Sequence, residues 1–161
     1  MKALVVYHTK YGHGKIIAEA IARGLEEAGL AVTLTDAGAK DVPADFDLLV
    51  VGSPTRMGRM MGPAKRFIKN ELDDPSWKDK PFIAVGTGFR PKGTTGKFDE
   101  YGARSAEQVY EALKKQGLKP LIEPQKFFVQ EMKGPLEDGE EDRAVELGRT
   151  AGRELSAAST S

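Results

Sequence analysis

Ala3-Leu4-Val5-Val6-Tyr7-His8 runs directly into Thr9-Lys10-Tyr11-Gly12-His13-Gly14, and Lys15 to Glu27 follows with helical periodicity. The first run is apolar on both faces and reads as a buried strand. The second is a short loop rich in glycine and hydroxyl groups. In the third, Ile17, Ala20, Ile21, Leu25 and Ala28 recur at three- and four-residue spacing until Gly29 stops the helix. A strand that feeds such a loop and then a helix start converges backbone N–H groups and the positive end of a helix dipole on one spot. Thr9 adds a hydroxyl, Gly12 and Gly14 admit close backbone approach, and Lys15 adds a charge, so the spot suits a phosphate. The P-loop string and the dinucleotide string Gly-x-Gly-x-x-Gly are both missing.

The same alternation continues along the chain. Apolar runs occur at Ala31–Thr35, Leu48–Gly52 and Phe82–Gly86, with a less regular pair at Leu118–Ile122 and Phe127–Gln130. Helical stripes lie between and after them, at Ala106, Val109, Tyr110 and Leu113, and again at Ala144, Leu147, Ala151 and Leu155. Repeated βα units predict an α/β fold, a three-layer doubly wound parallel sheet with helices on both faces. Ligands of such sheets sit beyond the carboxyl ends of the strands where the strand order reverses. With 161 residues and neither repeats nor a linker, one domain over residues 1–155 and a small polar, flexible tail over 156–161 are expected. Five carboxylates between Glu137 and Asp142 are expected to complement the dipole of the last helix.

Composition excludes several classes. There is no cysteine, which removes disulfides, thiolate catalysis and iron–sulfur ligation. His8 and His13 are the only histidines and have no third partner at metal-site spacing, so no metal is expected. Lys plus Arg and Asp plus Glu both total 24, which argues against a nucleic-acid binder. The longest apolar run, Leu48–Val51, is far short of a membrane span. Met1-Lys2 leads straight into the first strand without room for a signal peptide, so cytoplasmic residence is expected.

Two further loops should meet the first. Gly52 to Pro63 follows the third strand, with Pro63 placed for the first turn of the next helix. Its methionines suit packing against a flat aromatic ligand. Gly86 to Gly102 follows the fourth strand; Thr87 and Gly88 offer backbone donors, and Phe89, Phe98 and Tyr101 offer rings for stacking.

These loops resemble those of the flavodoxin-like superfamily, in which the first binds the phosphate of FMN and the other two bracket the isoalloxazine ring. The resemblance implies a five-stranded sheet of order 2-1-3-4-5. Thr9-Lys10-Tyr11-Gly12-His13 and Pro54-Thr55-Arg56-Met57-Gly58-Arg59-Met60 are similar to the Ser-x-Tyr-Gly-His and Pro-Thr-Arg-Phe-Gly-Asn-Met loops of the tryptophan-repressor-binding-protein type of NAD(P)H:quinone oxidoreductase. By that resemblance Thr9, Lys10, Tyr11, Gly12, His13 and Gly14 hold the phosphate end. Pro54, Thr55, Arg56, Met57 and Gly58 hold the ring from one side, and Thr87, Gly88, Phe89 and Tyr101 from the other. Arg56 is the candidate for tuning the flavin potential. An electron carrier and an FMN-dependent NAD(P)H:quinone oxidoreductase both stay open. A flavin-free interaction module is the third alternative, because Gly14 replaces a hydroxyl residue of the usual phosphate loop. Cations crowd the loop mouth (Lys10, Lys15, Arg56, Arg59, Lys65, Arg66, Lys69, Arg90, Lys92, Lys97), opposed by Glu71, Asp99 and Glu100. Such a rim would attract an acidic redox protein or a phosphorylated nicotinamide, with monomer and oligomer both open.

Overall fold

Side chains that alternate across a strand bury both faces of a sheet only if helices cover both, and the central strands of this chain do so. A computed structural model describes residues 1–9, 11–56, 59–89, 103–130 and 134–160. Its strands are β1 (Lys2–Tyr7), β2 (Ala31–Asp36), β3 (Leu48–Arg56), β4 (Arg59–Met60), β5 (Pro81–Phe89), β6 (Lys119–Pro120) and β7 (Gln125–Val129). Its helices are α1 (His13–Glu27), α2 (Gly62–Glu71), α3 (Ser105–Lys115) and α4 (Glu140–Thr160). The main sheet is parallel in the order β2-β1-β3-β5, and β6 and β7 share the position beside β5. The doubly wound order 2-1-3-4-5 is therefore present, with β5 in fourth place and an interrupted last strand.

That interruption has a local cause. Pro120 and Pro124 cannot donate to a ladder, so β6 ends at Pro120 and β7 begins only at Gln125. The remaining strand, β4, is the return of a hairpin: it pairs antiparallel with the end of β3, Thr55 opposite Met60 and Arg56 opposite Arg59. Five strands were expected and seven are found among the described residues; the additions lengthen or divide expected elements and leave their order intact.

Two cores follow from the alternation. Ala3 and Val5 of β1, Leu48 and Val50 of β3, and Ile83 and Val85 of β5 pack with Ile17, Ile21 and Leu25 of α1 and with Ala144, Ala151 and Leu155 of α4. The intervening Leu4, Val6, Leu49, Val51, Phe82 and Ala84 pack with Phe67 and Ile68 of α2 and with Val109 and Leu113 of α3. Trp77, fully buried, seals the second core.

On the first face, α1 and α4 touch backbone to backbone. A Cβ built on Gly24 would stand 2.0 Å from the Val145 carbonyl oxygen, and one on Gly148 would stand 2.2 Å from that of Ile21. Arg23–Glu141 and Arg149–Glu27 ion pairs flank the crossing. Beyond Leu155 the helix continues to Thr160, where the composition suggested a tail from Ser156; Ala157 and Ala158 are good helix formers and carry the pattern on. Glu140, one of the expected dipole-complementing acids, has a further role. It is buried, accepts from the Phe128 N–H at 2.8 Å and pairs with Arg143, tying α4 to β7.

Candidate functional site

The switch point lies between β1 and β3: β1 pairs with β2 on one side, and β3 pairs with β5 on the other. Pairing of β1 with β3 ends at Tyr7–Gly52, with the His8 N–H donating to the Gly52 carbonyl at 3.2 Å. Past that point β3 runs on alone on its β1 side. Pro54 sits there, paired in register with Thr87 of β5, so its missing N–H costs no ladder bond toward β1. The crevice expected of a doubly wound sheet opens between this free margin and the first loop.

The first loop is built from its own residues. The Thr9 hydroxyl accepts from the Gly12 N–H at 2.8 Å, and Gly12 adopts φ 93°, a left-handed conformation that glycine takes without strain. α1 then opens with no side-chain cap and no acid in its first turn, and its first intrahelical bond runs from the Ile16 N–H to the Gly12 carbonyl. The N–H groups of His13, Gly14 and Lys15 have no acceptor within the helix. An uncapped first turn free of carboxylate and followed by Lys15 fits a phosphate dianion. Gly14 has a steric reason to be glycine: a Cβ there would stand 2.8 Å from the His8 carbonyl oxygen. The hydroxyl expected at this place has no room, because α1 begins hard against the end of β1. His13 Nε2 contacts the Gly134 carbonyl; a carbonyl only accepts, so this ring nitrogen carries the proton. That bond joins the loop to the segment before α4. Tyr11 is exposed at the rim.

The second loop proves to be the β3–β4 hairpin, pinned to the start of α3. The buried Ser105 hydroxyl donates to the Ser53 carbonyl at 2.7 Å, and the Ser105 N–H donates to Thr55 Oγ1 at 3.0 Å. The Thr55 hydroxyl donates to Ser105 Oγ at 2.8 Å. Ser53 Oγ accepts from the Met61 N–H at 3.0 Å, and Gln108 Oε1 accepts from the Met60 N–H at 2.6 Å. Thr55 thus caps α3 from another element and fixes the hairpin beside the crevice. Met60, expected to face a ligand, packs partly buried against the second core. Sequence reading missed Ser105 and Gln108. Their spacing, Ser-x-x-Gln, is that of a capping box, which could have marked the helix start; both side chains reach across to the hairpin.

The third loop starts later than its composition suggested, since β5 runs to Phe89. Strand pairing with β7 through Phe89–Val129 extends it. The Thr87 side chain is buried and Phe89 is exposed at the strand end. Gly86 and Gly88 lie under the entry to α3: a Cβ on Gly86 would stand 2.4 Å from the Ala106 nitrogen, and one on Gly88 would stand 2.9 Å from Ala103 Cα. Thr9, Tyr11, Gly12, His13, Gly14, Pro54, Thr55, Arg56, Thr87, Gly88 and Phe89 all belong to the carboxyl edge of the sheet. Lys10, Met57, Gly58 and Tyr101 lie outside the described residues.

Beneath the first loop, His8 is held below its ordinary pKa of 6.5 by burial first. The charge of Asp36 opposes that shift and the charge of Arg66 adds to it. Among the described residues no group of three or more acidic or histidine ligands is placed to hold a metal ion, and no helix is long and apolar enough to cross a membrane.

Known proteins resemble this chain in sequence and in fold. An NAD(P)H dehydrogenase (quinone) of Caulobacter vibrioides is 38% identical over 81 residues, covering 37% of this chain and 41% of that protein. One of Paracoccus denitrificans is 33% identical over 129 residues, covering 66% of this chain and 61% of that protein. The chain thus spans about half the length of the curated relatives it matches. In three dimensions it superposes on a flavodoxin from the domain Archaea with a TM-score of 0.77 at 21% identity, over 97% of this chain and 99% of that one. Residues 4–133 match the family model described as a flavodoxin domain, and with its sheet order, switch point and phosphate-type first loop the chain belongs to the flavodoxin-domain family.

Proposed function

We propose that this protein binds FMN at the carboxyl edge of its sheet and works as a flavodoxin-like redox protein. The observation that carries the reading is the uncapped, acid-free first turn of α1 behind the Thr9–Gly12 bond, facing the free margin of β3. Thr9, Lys10, Tyr11, Gly12, His13 and Gly14 hold the phosphate. Pro54, Thr55, Arg56, Met57 and Gly58 lie along one side of the ring, and Thr87, Gly88, Phe89 and Tyr101 along the other. FMN, when bound, supplies a ring that accepts and returns electrons. The residues position it and set its field. Arg56 is exposed and has no ion-pair partner among the described residues, so its charge favours the more negative of two redox states. A tenfold preference between two states of a one-electron couple corresponds to about 59 mV.

The second reading is an FMN-dependent NAD(P)H:quinone oxidoreductase, favoured by the two relatives named NAD(P)H dehydrogenase (quinone). Cytoplasmic residence belongs to the same proposal. One experiment tests both readings. Titration of the purified protein into FMN should quench flavin fluorescence at one equivalent, and a protein that leaves it unquenched sinks the first reading. Anaerobic addition of NADH or NADPH then decides the second: bleaching of the yellow complex on a turnover timescale supports the enzyme, and persistence of the colour leaves the carrier.

A further inference from the structure

Arg56 and Arg59 stand directly opposite each other in the β3–β4 pair. Opposed residues of an antiparallel pair bring their Cβ atoms within about 5 Å, where like charges repel. Neither arginine has an ion-pair partner among the described residues. The helix that leaves this hairpin, α2, adds Lys65, Arg66 and Lys69, all exposed and likewise without such a partner. Arg66 folds back along its own helix: its Nη1 lies 2.9 Å from where a Cβ on Gly62, the first residue of α2, would stand.

Lys2, Arg23, Lys119, Lys126, Arg143, Arg149 and Arg153 all pair with carboxylates. The β3–β4 hairpin and α2 carry five cations against one carboxylate, Glu71, at the far end of α2. The hairpin and α2 also border the crevice, and the charge of Arg66 is felt at His8 under the first loop. Repulsion between Arg56 and Arg59 is a cost in the free protein that an anionic surface would relieve. The extent of the patch favours a macromolecule. The ten residues of α2 alone span about 15 Å, and a single phosphate engages one or two such groups.

We propose that the β3–β4 hairpin and α2 form the docking surface for an acidic redox protein, which their field steers to the adjacent crevice. The proposal rests on the redox reading above and names its partner class. Steering of this kind raises encounter rates and weakens with salt.

A plant-type [2Fe–2S] ferredoxin serves as the acidic probe, with binding to the full-length chain measured by calorimetry, both FMN-loaded and flavin-free. Binding at low salt is expected, with a loss of about tenfold or more when ionic strength is raised to about 0.5 M. Arg59→Glu and the double variant Lys65→Glu/Lys69→Glu should each weaken it by about tenfold or more, while Lys119→Glu stays within about twofold. Circular dichroism confirms that these exposed variants fold. A wild-type chain that ignores the ferredoxin overturns the proposal, as does one whose binding survives both reversals. Loss of a preference for NADPH over NADH in the reversal variants, with no ferredoxin binding, also overturns it and assigns the patch to a small phosphate. Ferredoxin binding by a chain that takes up no flavin would sink the redox reading alone; flavin uptake without ferredoxin binding would sink the docking alone.

Discussion

At Gly14 the absence of a side chain records how closely α1 is set against the end of β1, since a Cβ would stand 2.8 Å from the His8 carbonyl oxygen. By resemblance to the usual flavodoxin phosphate loop, the same residue stands where a hydroxyl is common, which kept a flavin-free module open as the third alternative. Sterics give the substitution another meaning. Gly14→Ala should force α1 away from β1, cost about 1–3 kcal/mol in urea unfolding, and weaken FMN uptake in the same samples. Normal stability with unchanged FMN affinity would show that the loop relaxes freely. Ser105 makes the opposite kind of point, as a buried side chain that serves the site without facing it. Ser105→Ala strands the Ser53 carbonyl and removes the acceptor of the Thr55 hydroxyl. A loss of about 1–3 kcal/mol is expected, together with a shift of the flavin midpoint potential. A purely structural role would lower stability and leave the potential in place. Neither residue type carries its own explanation: a glycine reads as a turn and a serine as a cap until the neighbour that uses it is known.

Among the elements, the hairpin and the α1–α4 crossing depart most from what periodicity suggested. Gly52–Pro63 reads as an irregular loop because Gly and Pro punctuate it. Pairing with β5 nevertheless carries β3 through Pro54, and Arg56 and Arg59 then pair across the hairpin. The boundary between strand and loop was set by a neighbouring strand, which propensity does not contain. At the crossing, Gly24 and Gly148 are each mid-helix, where glycine costs about 1 kcal/mol relative to alanine. The cost is offset by bringing two helix backbones together. Gly148→Ala should therefore destabilise, against the propensity trend, because its Cβ would stand 2.2 Å from the Ile21 carbonyl oxygen. Thermal melting checks the sign: a higher Tm would mean that the helices separate at no cost.

For the whole molecule, ionisation couples the site to stability. His8 has its pKa lowered in the fold, so between that lowered value and the ordinary 6.5 the unfolded chain binds more protons than the native one. Stability must then fall as pH drops below about 6.5. Glu27, Glu146 and Asp74 are also held low, by hydrogen bonds from Arg149 to the two glutamates and from Ser76 to the aspartate. Their contributions are present above the ordinary values of 4.5 and 3.8 and fade only in more acidic solution. The two windows separate the groups. Chemical denaturation at pH 7 and pH 5.5 should show a decrease that His8→Gln largely abolishes, and an equal decrease in both proteins would place the proton elsewhere.

The alternation of βα units, the sheet order inferred from family resemblance and the strand–loop–helix that opens α1 were all legible in the chain of residues, because each depends on spacing over a few neighbours. Apolar runs at Ala3–Tyr7 and Leu48–Val51 had to be central strands, since they are buried on both faces. Tertiary structure alone decided how the crevice is walled. Thr55 and Ser105 stand 50 residues apart and His13 and Gly134 stand 121 apart, and no local pattern relates them. Hydrogen-bonding groups hidden from water must find partners wherever the folded chain brings them, so the final shape of the site follows from which segments meet.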